Sequence, residues 1–151
     1  VSTNPYRVVV TGRGAHYTSA FGEHVIAEEV ENAMKKTLLK YDVVINEFHV
    51  APEVNPNQGN PFHEWFIEFR TPPEKMSQFV SDLNQNLCDL NVYYKDLIDG
   101  KVLGDLKITP IKIGGFKNYM SEIGKLGGQN KVPRLSNDRR VASVLSQFKS
   151  N

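Results

Sequence analysis

The sequence predicts an α+β domain in which a small mixed sheet of about four to five strands packs with three to four helices. Three observations lead there. Strand-like and helix-like periods alternate along the chain in the order β, α, β, β, α, β, α. Two long apolar stripes at helical spacing separate the strand runs. Finally, 151 residues with 40% hydrophobic and 23% charged side chains are enough to bury a core without disulfide staples. No internal repeat, low-complexity tract or flexible linker divides the chain, so residues 1–151 are expected to form one domain.

The elements follow in order. Tyr6 to Thr11 is a β-rich run closed by Gly12, and His16 to Ser19 reads as a second short strand before a turn at Gly22. From Ala27 to Tyr41 the period becomes helical: Ile26, Val30, Ala33, Met34, Thr37, Leu38 and Tyr41 fall on one face. Glu28, Glu29 and Glu31 open that helix and Lys35, Lys36 and Lys40 close it, which complements its dipole at both ends. Asp42 to Ala51 and Phe62 to Arg70 read as strands of a long hairpin, joined by the Pro-, Asn- and Gly-rich loop from Pro52 to Pro61. In the second strand His63, Trp65, Ile67 and Phe69 alternate with Glu64, Phe66, Glu68 and Arg70. Pro72-Pro73 opens a second helix whose stripe of Met76, Phe79, Val80, Leu83, Leu87 and Leu90 carries it past Tyr94. Leu106 to Ile113 is a strand that Pro110 places at a sheet edge. A short helix over Phe116 to Ile123, a break at Gly127-Gly128 and a closing helix over Asn137 to Phe148 complete the pattern.

Several function classes are excluded or weakened by composition and motif. The longest apolar runs are far too short to span a bilayer, and no basic-then-apolar leader opens the chain. The single cysteine, Cys88, allows no internal disulfide and suits a reducing compartment, so a cytoplasmic protein is expected, and Val1 in place of methionine suits a piece of a longer one. His63-Glu64 lacks the second histidine a zinc-protease helix needs, because position 67 is Ile67. His16, His24, His49 and His63 show no metal-binding spacing, so no metal is expected, and His49 and His63 are expected as ordinary surface residues of the hairpin. Gly100-Lys101-Val102 and Gly124-Lys125-Leu126 each fail the phosphate-loop pattern at the third place, and no Gly-x-Ser-x-Gly elbow occurs. Cys88 beside an apolar stripe reads as a core residue rather than a nucleophile.

Charge is distributed unevenly. Residues 1–106 carry nine Lys/Arg against fifteen Asp/Glu, whereas residues 107–151 carry nine Lys/Arg against Glu122 and Asp138 alone. A basic terminal third suits a phosphate-bearing ligand, nucleic acid or an acidic partner surface. The competing readings are a non-catalytic α+β interaction domain and an RNA-binding module with Trp65, Phe66 and Phe69 stacking bases. The RNA-binding reading is disfavoured because those rings face both ways, as core residues do, and the basic residues lie beyond their strands.

Two segments carry the functional signal. The first runs from Gly12-Arg13-Gly14 through Phe21-Gly22-Glu23 to Glu29-Val30-Glu31: a turn, a short strand, a glycine turn, then an acidic helix start. The second is Gly124-Lys125-Leu126-Gly127-Gly128-Gln129-Asn130-Lys131-Val132-Pro133-Arg134, where glycines free the backbone and Pro133 then fixes it and holds Val132 extended. Such a loop can present a lysine at a defined point.

With these residues in order, the chain resembles the C-terminal domain of the auxin-responsive Gretchen Hagen family of acyl-acid amido synthetases, in its bacterial form. The resemblance covers roughly residues 7 to 145. Gly12-Arg13 and Phe21-Gly22-Glu23 match the family's first signature, Glu68 its acidic strand end, and Asn91 and Tyr94 its late-helix pair. Gly128-Gln129-Asn130-Lys131-Val132-Pro133-Arg134 matches the last and most specific signature. Ala15 stands where relatives often carry a charged hinge residue, which shifts the swivelling role toward Gly14.

The resemblance implies a lid that closes over a large N-terminal domain holding ATP and Mg²⁺. A carboxylic acid would there become an acyl-adenylate that an amine or amino acid converts to an amide. It further implies Lys131 as the catalytic cation and Gln129 and Arg134 as nucleotide or phosphate contacts. Gly12, Arg13, Gly14, Gly22 and Glu23 would serve hinge and domain positioning. The lid alone, without cofactor, is expected to be inactive.

Overall fold

The computed structural model describes residues 17–18, 21–127 and 132–150. The expected strand over Tyr6 to Thr11 lies outside these residues. A two-residue strand β1 (Tyr17–Thr18) pairs antiparallel with β2 (Val25–Ile26), a strand the sequence reading did not anticipate. Helix α1 (Ala27–Leu38) follows directly, with Glu28 and Glu29 in its first turn and Lys35 and Lys36 in its last. Glu29 Oε1 accepts the Ile26 backbone N–H at 3.0 Å, so the helix start is satisfied by its own acidic turn.

β3 (Val44–Glu53) and β4 (Phe62–Thr71) form the predicted hairpin, with register shifts around Ile45 and Glu47. β5 (Lys107–Ile111) joins the other side of β4 in parallel, giving a mixed sheet in the order β3-β4-β5. As Pro110 foretold, β5 is an edge strand. Among the described residues the main sheet thus holds three strands, with the β1–β2 ribbon as a separate pair.

The expected second helix is two helices. α2 (Met76–Leu90) stops and α3 (Val92–Asp99) starts at Asn91, which is extended at φ −140° and ψ 106°. The Asn91 side chain accepts the Tyr94 N–H at 2.8 Å, a cap that costs the helix its continuity but satisfies the new N-terminus. Pro72-Pro73 precedes the helix rather than opening it, since α2 begins at Met76. α4 (Gly115–Gly127) is longer than predicted, and α5 (Arg140–Leu145) runs into a short 3₁₀ turn at Ser146–Phe148. Five α-helices therefore stand where three to four were expected among the described residues. No helix there is long and apolar enough to cross a membrane.

The sheet is covered on both faces. Val30, Met34, Phe79, Leu83, Leu87 and Tyr94 from α1, α2 and α3 pack on Phe48, Val50, Trp65, Ile67 and Phe69. Phe116, Tyr119, Ala142 and Leu145 from α4 and α5 pack on Ala51, Phe66 and Ile111 of the opposite face. Trp65 and Phe66, neighbours in β4, are both fully buried, one in each core. With Phe69 also buried, these rings are closed off from base stacking. Cys88 is buried too, and burial pushes its thiol up to about 11, as suits a core residue and not a nucleophile.

The chain from Val132 onward straps the sheet. Leu135 makes a parallel bridge to Val50 of β3, and Lys149 an antiparallel bridge to Ile111 of β5. Ser150 N–H also donates to the Pro110 carbonyl at 2.9 Å.

Candidate functional site

The first signature is anchored from beneath. Gly22 has φ +91° and His24 φ +47°, so the turn is built from two left-handed residues with Glu23 between them. Glu23 is fully buried. Its Oε2 accepts from His63 Nε2 at 2.6 Å and its Oε1 accepts the Phe21 N–H at 2.9 Å. Burial alone would raise the Glu23 carboxyl, but the hydrogen bond and charge of His63, with backbone N–H groups, hold it below its ordinary value.

Asn91 closes the network from the helix side. Its Nδ2 donates to the His24 carbonyl at 3.3 Å and to Glu29 Oε1 at 2.9 Å. Tyr94 donates its hydroxyl to Asn84 Oδ1 at 2.6 Å, and burial pushes the phenol far up, keeping it protonated. The family-matching pair Asn91 and Tyr94 is therefore architectural. A Cβ on Gly22 would meet nothing within 4 Å, so Gly22→Ala tests the backbone alone. It should cost about 1–2 kcal/mol in chemical denaturation; no loss would mean the turn relaxes freely.

Glu68, the expected acidic strand end, caps α4. Its Oε1 accepts the Phe116 N–H at 3.1 Å, and its Oε2 accepts the Gly114 N–H at 3.3 Å and Asn46 Nδ2 at 2.7 Å. A carboxylate suits that helix N-terminus, where the unpaired N–H groups gather. An open groove of about 380 Å³ beside it is lined by Asn46, Glu47, Glu68, Arg70, Phe116, Lys117, Met120 and Val132.

The second signature returns to the described residues at Val132, which is buried in the core under α4 and α5. Gln129 and Lys131 lie outside them, as do Gly12, Arg13 and Gly14. From Pro133 the chain lies along β3: Val50 donates to the Arg134 carbonyl and Ser136 donates to the Val50 carbonyl, both at 2.9 Å. The Arg134 side chain donates to Glu47 and to the Phe48 carbonyl, pairs with Glu31 at 3.4 Å, and covers the Phe48 ring at 4.3 Å.

His49 secures the same stretch. Its Nδ1–H donates to the Pro133 carbonyl at 2.6 Å, and its Nε2 has no hydrogen-bond partner among the described residues. Both His49 and His63 are fully buried, which corrects their expected surface placement. Their partners, 84 and 40 residues away in sequence, could not be seen in local pattern.

Burial pushes the His49 imidazole down to about 4, the Pro133 bond resisting and Arg134 and Arg139 reinforcing the fall. Between its ordinary 6.5 and about 4 the unfolded chain takes up a proton that the folded chain refuses. Stability is thus full above 6.5 and is lost as pH falls through that window, by roughly 3 kcal/mol. His49→Gln keeps a donor without titrating. Denaturation at pH 7 and 4.5 should show a smaller acid loss for the variant than for the native sequence. Equal losses would remove His49 from the account.

The comparisons bear on this arrangement. A profile of the GH3 family C-terminal domain matches residues 28–140. Solved structures that share the fold include two acyl acid amido synthetases. A GH3.15 acyl acid amido synthetase is 21% identical with a TM-score of 0.61, the match covering 82% of this chain and 22% of that one. AtGH3.15 acyl acid amido synthetase in complex with 2,4-DB is 16% identical with a TM-score of 0.69, covering 89% and 26%. The chain thus spans about a quarter of the length of these relatives. No significant match is found among curated proteins.

Proposed function

The chain belongs to the GH3 family through its C-terminal domain, and from that premise we propose that it works as the closing domain of an ATP-dependent acyl-adenylate-forming amide synthetase. The proposed parent enzyme joins a carboxylic acid to an amine or amino acid. What carries the reading is the meeting of the two signature segments: Glu31 of the first pairs with Arg134 of the second, 103 residues later. A fold that brings together the two stretches already singled out by chemistry supports one site rather than two coincidences.

In this reading Lys131 supplies a positive charge to the phosphate at which the carboxylate attacks, with Gln129 as a neighbouring polar contact. Gly12, Arg13, Gly14 and Gly22 position the domain rather than touch the reacting atoms, and Glu23 anchors that turn. Among the described residues no group of three or more His, Cys, Asp or Glu is arranged to hold a metal. By its resemblance to the family, the reading assigns the Mg²⁺ and the nucleotide cradle to the larger domain. An RNA-binding reading loses its stacking platform, because Trp65, Phe66 and Phe69 are buried.

The test is pyrophosphate release by the full-length parent protein with ATP and a panel of carboxylic acids. Release that depends on one class of acid is expected. No release with any acid would favour a non-catalytic interaction domain that keeps the same fold.

A further inference from the structure

We propose that Arg134 is a positioning residue rather than a phosphate contact: clamped between α1 and β3, it pins residues 132–136 to the sheet. Its effect on the reaction rests on the function proposed above; the clamp itself does not.

The guanidinium is already committed. Its Nη1 serves the Glu47 carboxylate and the Phe48 carbonyl, the latter at 2.7 Å, while Nε faces Glu31 Oε2 at 3.4 Å. One face lies over the Phe48 ring. Two carboxylates offset its single charge, so little field remains for an anion. A planar fork with several donors suits such a shared site, and a lysine could not reproduce it.

The main chain agrees with the side chain. The Arg134 carbonyl accepts the Val50 N–H, and the preceding Pro133 carbonyl accepts from His49. Val132 and Leu135 on either side are buried, in opposite cores. Backbone and guanidinium thus tie the same few residues to β3, and the side chain adds the tie to α1. Nε and Nη1 could serve a phosphate only by leaving Glu31, Glu47 and the Phe48 carbonyl.

The two roles give opposite results when a carboxylate is removed. For a phosphate contact, Glu47→Gln frees the arginine and leaves activity equal or higher. For a clamp, Glu47→Gln and Arg134→Met in the parent protein should each lower kcat roughly tenfold, with KM for ATP unchanged. The double variant should be no worse than Arg134→Met alone, because both remove one unit. Arg134→Lys should fail to rescue. Amide exchange of residues 132–136, followed in the same protein, should quicken in both single variants. A fully active Glu47→Gln beside an Arg134→Met with raised KM for ATP would overturn the proposal. If the parent releases no pyrophosphate, the functional reading fails on its own, and unchanged exchange in both variants would then reject the clamp.

Discussion

Replacing His63 by leucine should destabilise the fold by about 3–5 kcal/mol, the cost of leaving a buried charge without its partner. Glu23 and His63 are both fully buried and joined at 2.6 Å, so the substitution leaves the carboxylate with the Phe21 N–H as its other bond. The carboxylate then either stays charged in an apolar surrounding or takes up a proton. In both cases the Gly22–His24 turn loses the contact that holds it to β4. Replacing both residues by leucine should recover much of the loss, since no buried charge then remains. Urea denaturation of the single and double variants decides the matter. A single variant within 1 kcal/mol of the native protein would mean water reaches Glu23 and the pair is incidental.

Acid should act on the same pair. Because the Glu23 carboxyl is held below its ordinary value of 4.5, its contribution is fully present above that value and is lost as the folded group protonates. The His49 effect begins at higher pH. Acid unfolding should therefore start with the strap on β3 and reach the first signature later.

The second large effect concerns Lys131. In the full-length parent, Lys131→Ala should slow carboxylate-dependent pyrophosphate release by roughly 10²–10³-fold, the usual cost of losing one preplaced contact to charge developing in the transition state. A cation about 4 Å from a phosphate oxygen, at an effective dielectric near 20, is worth on the order of 4 kcal/mol before desolvation, the upper end of what that rate loss requires. Lys131→Arg should restore part of it, because charge matters more than shape at that distance. An unchanged rate in Lys131→Ala would remove the residue from the chemistry while leaving the family assignment in place.

The sequence made some of this legible and hid the rest for definite reasons. α1, β3 and β4 were readable because their apolar periods are strong and their ends carry charge or turn residues. The break at Asn91 was not, because the apolar stripe runs on through Leu87 and Leu90 to Tyr94, and an asparagine looks the same in a helix as between two. The strand alternation in β4 pointed Trp65 to one core, but nothing local announced that α4 and α5 would cover Phe66 on the other side. His49, His63 and Arg134 owe their roles to partners 40 to 103 residues distant, which pattern reading does not reach. Of the proposed site, Gly22, Glu23 and Arg134 can be placed; Gly12, Arg13, Gly14, Gln129 and Lys131 remain outside the described residues.

The strap has a consequence for company as well as for shape. Among the described residues β3 and β5 are the outer strands of the main sheet, and the outward amide and carbonyl groups of an outer strand are a template for a stray strand from another molecule. Here one stretch of chain meets both strands, Leu135 at Val50 within β3 and Lys149 at Ile111, the C-terminal end of β5. The same nineteen residues that finish the second core thus also guard the protein against its own copies.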